Sequence, residues 1–264
     1  MASDLKEAGG PGVRRTPNEL MRGKAAPRLF VSAALEPGGA LILDEGQSHY
    51  LLHVLRAKTG DRVLVFNGRD GEWQGEVAAA SKRGVTLALR VKIAPQADTP
   101  DVWLVFAPIK KTPSDYLVQK ATELGARKLQ PVFTRRTIVA RLNHDRLKAN
   151  AVEAAEQSAR LTVPEIGEAM ALEKLLDAWP RERRIFFCDE GGDAVPLADA
   201  ARVANEGPCA ILTGPEGGFD PSERQNLHAR DFVTPVTLGP RILRADTAAL
   251  AALAIWQAVK GDFS

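Results

Sequence analysis

Between Cys209 and Trp256 the chain runs twice through one pattern: an apolar run, a Gly-Pro turn and a helix start. The first run, Cys209 to Leu212, stops at Thr213 and Gly214-Pro215-Glu216-Gly217-Gly218. The second, Phe232 to Leu238, stops at Gly239-Pro240, and an alanine-rich helix is expected from about Thr247. Short apolar runs without alternation fit strands covered on both faces, which is the habit of parallel sheets. Parallel strands that end side by side leave a crevice beyond their carboxyl ends, and ligands bind there. Glycine lets backbone approach such a ligand because no Cβ intervenes. The pattern demands an α/β domain with two turns at one end of its sheet.

The chain upstream agrees. Val102–Ala107, Lys128–Phe133 and Arg184–Cys188 read as strands; 114–124, 143–160 and 197–204 read as helices, with Gly125 ending the first. Before them the texture differs. Arg28–Val31, Arg62–Phe66 (ending in Asn67-Gly68), 72–79 and 85–93 read as closely spaced strands with short turns, so a small barrel is expected. Asp44 is placed to cap a helix through Tyr50 to Leu55. The expected divisions are a disordered tail over 1–26, a β-barrel domain over 27–97 and an α/β domain over 98–264.

Composition narrows the class. At 264 residues, 45% hydrophobic and 26% charged, the chain has the balance of a soluble globular protein. It holds no apolar run of membrane length and no secretory signal, and its two cysteines, Cys188 and Cys209, sit in apolar runs as reduced core thiols. A cytoplasmic protein without membrane contact is expected. Charge is polarised: 101–163 carries eleven Lys/Arg against six Asp/Glu, whereas 164–206 carries five against ten. A basic stretch of this kind is either a solvated face or a footprint for nucleic acid.

The first turn lacks both the Gly-Lys-Ser/Thr and the G-x-G-x-x-G of phosphate loops, and Glu216 would repel a polyphosphate. A neutral or cationic ligand suits it better. Asp220-Pro221-Ser222-Glu223 follows as a capping box. In the second turn, Arg241 and Arg244 flank Ile242 and Leu243. The apolar pair could wall a ring, and the arginines could hold phosphate or a developing oxyanion. Asp246 is a helix cap or a catalytic carboxylate. His49 and His53 share a helical face without a third ligand at suitable spacing, so no metal is expected. His144 and His228 read as surface or capping residues, and Trp73 as barrel core in preference to an RNA stack.

GPEGGF followed by LGPRILRADTAALAAL resembles the C-terminal signature of the SPOUT superfamily of S-adenosylmethionine-dependent RNA methyltransferases. It is most similar to the family that methylates N3 of a uridine in small-subunit ribosomal RNA. The 119–125 run QKATELG, the 154–160 run AAEQSAR with Val163-Pro164, and the PUA-like stretch from His49 to Gly68 carry the resemblance over nearly everything from Arg28 onward. It implies a SPOUT-type α/β domain with a trefoil knot at about 208–260, behind a PUA-like RNA-binding barrel, in a homodimer. It also implies that Leu212, Thr213, Gly214, Glu216, Gly217, Gly218, Leu238, Gly239, Ile242, Leu243, Arg244, Thr247 and Ala248 cradle S-adenosylmethionine. One position departs from the pattern: the family usually has glutamate where this chain has Asp246.

Uridine N3 carries a proton at neutral pH, so methylation needs a base and donors for the charge that spreads onto O2 and O4. Arg244, with Arg160 or Arg241, is the candidate for that stabilisation; Glu216, Asp246 and Glu156 are the candidate bases. Arg28, His49, Arg56, Lys110, Lys111, Arg135, Arg136 and Arg141 are the candidate contacts to 16S ribosomal RNA. Three other readings stay open: a related enzyme acting on transfer RNA or a ribose hydroxyl, a non-catalytic RNA-binding assembly factor, and a nucleotide-binding enzyme, which Glu216 disfavours.

Overall fold

The computed structural model describes residues 26–81, 84–189 and 194–263, with all their side chains except those of Lys111 and Thr112. The expected disordered tail lies almost wholly outside these residues, as do Lys82 and Arg83 of one expected turn.

The N-terminal unit contains β1 (Arg28–Phe30), β2 (Ala40–Ile42), helix α1 (Glu45–His49), β3 (Arg62–Phe66), β4 (Glu72–Ser81) and β5 (Gly84–Ala94), in sheet order β1-β3-β4-β5-β2. The path ends at β1 and β2, which do not pair among the described residues, so the barrel is open there. Alternation places Val63, Val65, Val77, Val85 and Leu87 inward with no exposed surface. It ends sooner than the sequence suggests: Val91 is 50% exposed, because β5 outruns the core. Trp73 is core, its indole N–H donating to the Asp70 carbonyl at 3.0 Å. The Asp44 carboxylate caps α1 by accepting from Gln47 N–H at 2.8 Å. The chain then continues as a π-helical turn over Tyr50–Val54, which the sequence reading takes as ordinary helix.

The larger unit contains β6 (Val102–Phe106), α2 (Lys111–Glu123), β7 (Lys128–Phe133), α3 (His144–Gln157), β8 (Glu165–Ile166), β9 (Met170–Ala171), α4 (Leu172–Asp177), β10 (Arg184–Cys188), β11 (Val195–Pro196), α5 (Leu197–Val203), β12 (Cys209–Thr213), α6 (Pro221–His228), β13 (Val233–Thr237) and α7 (Ala245–Val259). The main sheet runs β11-β13-β10-β12-β6-β7-β8, and every pairing in it is parallel. Helices α2, α3, α5 and α7 cover one face around Leu104, Ile211, Leu253 and Trp256; α4 and α6 cover the other around Val105, Phe187, Leu212 and Leu227. Each central strand is therefore apolar on both sides, which explains the unalternating runs.

The topology has one uncommon step. β13 lies between β10 and β11, which precede it and follow each other in the chain. After β13 the chain returns across the sheet as α7, packed against α2, α5 and β12. A late segment thus enters ground already bounded by earlier ones, as the knotted C terminus of the resemblance requires and as ordinary connection rules would not predict. Small residues make the fit possible: Ala249 and Ala252 are fully buried. Gln257, also buried, donates to the Leu124 carbonyl at 2.7 Å and so closes the C-terminal end of α2.

The two units share a seam. The Arg28 guanidinium pairs with Glu72 at 2.5 Å and donates to the carbonyls of Ala155, Glu156 and Arg160 at 2.8–3.0 Å. The Phe30 N–H donates to the Glu156 carboxylate at 2.9 Å.

Candidate active site

β10 stands between β13 and β12, so the two Gly-Pro turns flank its carboxyl end. They enclose a cleft of about 430 Å³. Of the residues expected to cradle a ligand, Thr213, Gly214, Glu216, Leu238, Gly239, Ile242, Leu243, Arg244 and Ala248 line it, joined by Arg241 and Asp246. Leu212 does not; it is fully buried against Phe187 and Leu227 on the α6 face of the sheet. Gly217, Gly218 and Thr247 stand off the lining too, because the outer limb of the first turn and the outer face of α7 point away from it.

The first turn is built by close approach. A Cβ on Gly214 would lie 2.6 Å from the Phe219 ring, so only glycine fits over that side chain. Phe219 in turn packs edge-on against Phe187, with centroids 5.0 Å apart. Gly218 takes a left-handed φ of 68° and donates to the Pro215 carbonyl at 2.9 Å, which closes the turn. The capping box then starts α6, with Asp220 accepting from Ser222 and Glu223 accepting from the Asp220 N–H at 3.1 Å. The bonds from Ser222 hold the Asp220 carboxyl below its ordinary pKa.

The second turn is held more loosely. Gly239, at φ 106°, donates to Thr237 Oγ1 at 3.2 Å. Ile242 is 88% exposed. Among the described residues, the backbone N–H groups of Ile242 and Leu243 donate to no protein acceptor, which leaves two donors on the cleft wall. α7 begins at Ala245, two residues earlier than expected, so Arg244 is its N-cap residue and Asp246 belongs to its first turn. That corrects the reading of Asp246 as the cap. Its half-buried carboxylate accepts from the N–H of the next residue, Thr247, at 2.8 Å, and the helix dipole favours negative charge there.

The chemistry of the lining matches a sulfonium amino acid–nucleoside. Ile109, Leu238 and Leu243 are apolar walls for a ring, the free amides are donors, and Glu216 and Asp246 are carboxylates that tolerate a cation and repel polyphosphate. Cys188 also lines the cleft, but burial pushes its thiol up to about 12, so it is no thiolate nucleophile.

Other candidates lie elsewhere. Arg160, read as a catalytic arginine, is half-buried beyond the C-terminal ends of α2 and α3 and does not line the cleft. Its guanidinium donates to the carbonyls of Thr122 and Ala126 and to Thr162 Oγ1, and desolvation lowers its pKa to about 10. Glu156, read as a possible base, belongs to the seam between the units, as does Arg28, read as an RNA contact. In all three the polar side-chain groups are taken up by protein partners, and none of the three lines the cleft. Exposed Arg135 and Arg136 run along the first turn: the Arg135 N–H donates to Glu223 at 2.8 Å and the Arg136 guanidinium to the Gly217 carbonyl at 2.9 Å. Lys110 is exposed before α2, next to Ile109 of the cleft. Arg141 lines a smaller hollow of about 240 Å³ with Phe133 and His144. His49 and Arg56 are exposed on the N-terminal unit; the His49 and His53 rings are 4.7 Å apart and Arg56 holds a left-handed φ of 55°. Among the described residues, no group of three or more His, Cys, Asp or Glu could hold a metal ion, and no helix is long and apolar enough to cross a membrane.

Sequence reasoning missed Asp189, Phe219 and Thr237 in the cleft wall. Only strand order brings Asp189 there. His228, read as a surface or capping residue, bonds to it at 2.8 Å.

A family model described as an RNA methyltransferase domain matches residues 96–257, and one described as an RNA methyltransferase PUA domain matches 43–90. The ribosomal RNA small subunit methyltransferase E of Synechocystis is 32% identical over 87% of this chain and 76% of its own. The chain belongs to the ribosomal RNA small subunit methyltransferase E family. The Rickettsia conorii member is 28% identical over 86% of this chain and 93% of its own. The crystal structure of the Neisseria gonorrhoeae methyltransferase E bound to S-adenosyl methionine superposes with a TM-score of 0.83 at 28% identity, covering 90% of this chain and all of that one. The fold is thus a SPOUT-type α/β domain behind a PUA-like domain. The cleft lies at the sheet end that the family signature occupies in sequence.

Proposed function

We propose that this protein transfers a methyl group from S-adenosylmethionine to N3 of a uridine in the 16S RNA of the small ribosomal subunit. The observation that carries the reading is the meeting of both Gly-Pro turns in one cleft of about 430 Å³, with apolar walls, amide donors and carboxylates. Thr213, Gly214, Leu238, Ile242 and Leu243 hold the donor, which supplies an electrophilic methyl group when bound. Arg244 and Arg241, both exposed at the cleft edge, stabilise the negative charge that appears on the uracil oxygens when N3 gives up its proton. Asp246 and Glu216 are the carboxylates within the same cleft able to take that proton. Alignment of N3 with the methyl carbon supplies much of the rate, since orientation removes the entropy cost of a bimolecular meeting.

RNA binding is assigned to two groups. Arg135, Arg136 and Lys110 adjoin the first turn or the cleft, with Lys111 next in the chain and Arg141 at the smaller hollow, and His49 and Arg56 extend the surface over the PUA-like unit. A homodimer belongs to the same reading: Ile242, 88% exposed at the cleft, leaves an apolar side chain there for a second copy to cover, and Ile138 is a further exposed apolar residue at 83%. So does a cytoplasmic location, where the ribosomal substrate is. Nucleoside mapping of 16S RNA from a strain lacking the protein tests the proposal. A missing N3-methyluridine that returns with the wild-type protein is expected; an unchanged modification pattern rejects it.

A further inference from the structure

We infer that Asp189 is a positioning residue that sets the width of the donor cleft by buckling helix α6 to the strand between the two turns. The inference rests on the donor-binding role proposed above and goes beyond it. Asp189 follows the last residue of β10, the strand flanked by β13 and β12. Its backbone N–H donates to the Val236 carbonyl at 2.9 Å, which fixes it to the strand that carries the second turn. Its carboxylate, with the side chain 4% exposed, reaches the other way. Both oxygens accept from Arg224 Nε at 2.9–3.0 Å, and Oδ2 lies 2.8 Å from His228 Nε2. Arg224 and His228 are one helical turn apart on α6, the helix that the first turn launches. One side chain thus ties together three elements that border the cleft.

A hydrophobic contact would not fix this geometry as tightly. A buried carboxylate is costly unless paired, so α6 must keep its two donors in reach, and charge-assisted bonds tolerate little displacement. The packing beneath transmits the constraint. The His228 ring lies edge-on to Phe187 at 6.0 Å, and Phe187 packs against Phe219 at 5.0 Å. Phe219 is the ring beneath Gly214, where even a methyl group would collide. A shift of α6 therefore moves Phe219 and with it the floor of the first turn. The buckle contributes no atom to the transfer itself. It decides whether the turns stand at the separation a folded donor needs.

The test is donor affinity by calorimetry beside steady-state kinetics on small ribosomal subunits, for the full-length wild type and for Arg224→Ala, His228→Ala, Arg224→Lys and Asp189→Asn. Arg224 and His228 are about two-fifths exposed, so their variants fold even if a change at buried Asp189 does not. A coupling of this size predicts that Arg224→Ala raises the Kd and KM for S-adenosylmethionine about tenfold. At saturating donor, kcat and the KM for RNA stay within about threefold, and lysine at 224 recovers most of the donor affinity. Melting temperatures lowered with donor affinity unchanged, or kcat lost with KM unchanged, overturn the inference. A wild type that binds no donor rejects the methyltransferase reading instead.

Discussion

The Arg136 guanidinium donates to the carbonyl of Gly217 at 2.9 Å, so a basic residue 81 positions upstream holds the outer limb of the glycine turn. Arg135 adds a second tie through its N–H to Glu223 in the capping box of α6. The basic stretch read as a candidate RNA footprint is therefore hydrogen-bonded to the first turn and to the helix it launches. Replacing Arg136 by alanine should weaken both partners. RNA affinity is expected to fall, and the slope of its logarithm against the logarithm of salt concentration to drop by about one, as for loss of one phosphate contact. The Kd for S-adenosylmethionine should rise a few-fold. Filter binding over a salt series and calorimetry measure the two effects; an unchanged salt slope removes Arg136 from the RNA surface.

Gly214→Ala isolates the close approach at the first turn. The new methyl group would meet the Phe219 ring at 2.6 Å, and that ring is backed by Phe187, so backbone and ring must part. Donor binding is expected to fall by two orders of magnitude or more, with overpacking lowering stability by about 1–3 kcal/mol. Gly239→Ala is the contrast: its Cβ meets nothing within 4 Å, and only the φ of 106° opposes it. Its stability loss comes from backbone strain alone, of order 1–3 kcal/mol. Paired thermal melts and calorimetry separate steric from conformational demand. Equal donor affinity in Gly214→Ala and the wild type would remove the first turn from the cleft.

Much of this was legible in the chain. The doubled pattern of apolar run and Gly-Pro turn located the cleft, because covered parallel strands and backbone approach both leave direct marks on composition. The capping box at Asp220 was readable because its residues are local. What the sequence does not display is non-local. Arg28, Glu156 and Arg160 offer the right functional groups for catalysis or RNA, yet their partners are carbonyls and amides brought up by packing. Asp189 gave no signal, since its donors lie 35 and 39 residues downstream. The position of β13 between two earlier strands is likewise a property of threading, which hydrophobic periodicity does not encode.

Arg244, Asp246 and Glu216 divide the chemistry among them in the proposed reaction, and their variants should separate cleanly. Arg244→Ala should lower kcat by about 10²–10³-fold with donor affinity little changed, as for loss of one oxyanion donor. Asp246→Asn and Glu216→Gln discriminate the base. The variant at the true base should lose about 10²–10⁴-fold in kcat and the dependence of rate on its ionisation at the acid end. The other should keep the wild-type pH profile. Single-turnover methylation of small subunits across pH measures all three, and full activity in Arg244→Ala strikes that residue from the mechanism.

Glu156 gives a stability prediction that can be read without RNA. Burial in the seam raises its pKa above the ordinary 4.5, outweighing the Phe30 N–H and the Arg28 charge, which pull it down. The folded state thus holds its proton to higher pH than the unfolded chain does. Its contribution is fully present below the unfolded value and is lost as pH rises through the folded one. Glu156→Gln keeps an oxygen for the Phe30 N–H and cannot ionise. Relative to this variant, the wild type should be at its best near pH 4 and lose ground as pH rises above 4.5, levelling off once the carboxyl is ionised in both states. Denaturant melts of both proteins over pH 4–8 measure the difference; a gap that is constant across the range, or that moves in favour of the wild type with rising pH, contradicts the buried seam as the cause.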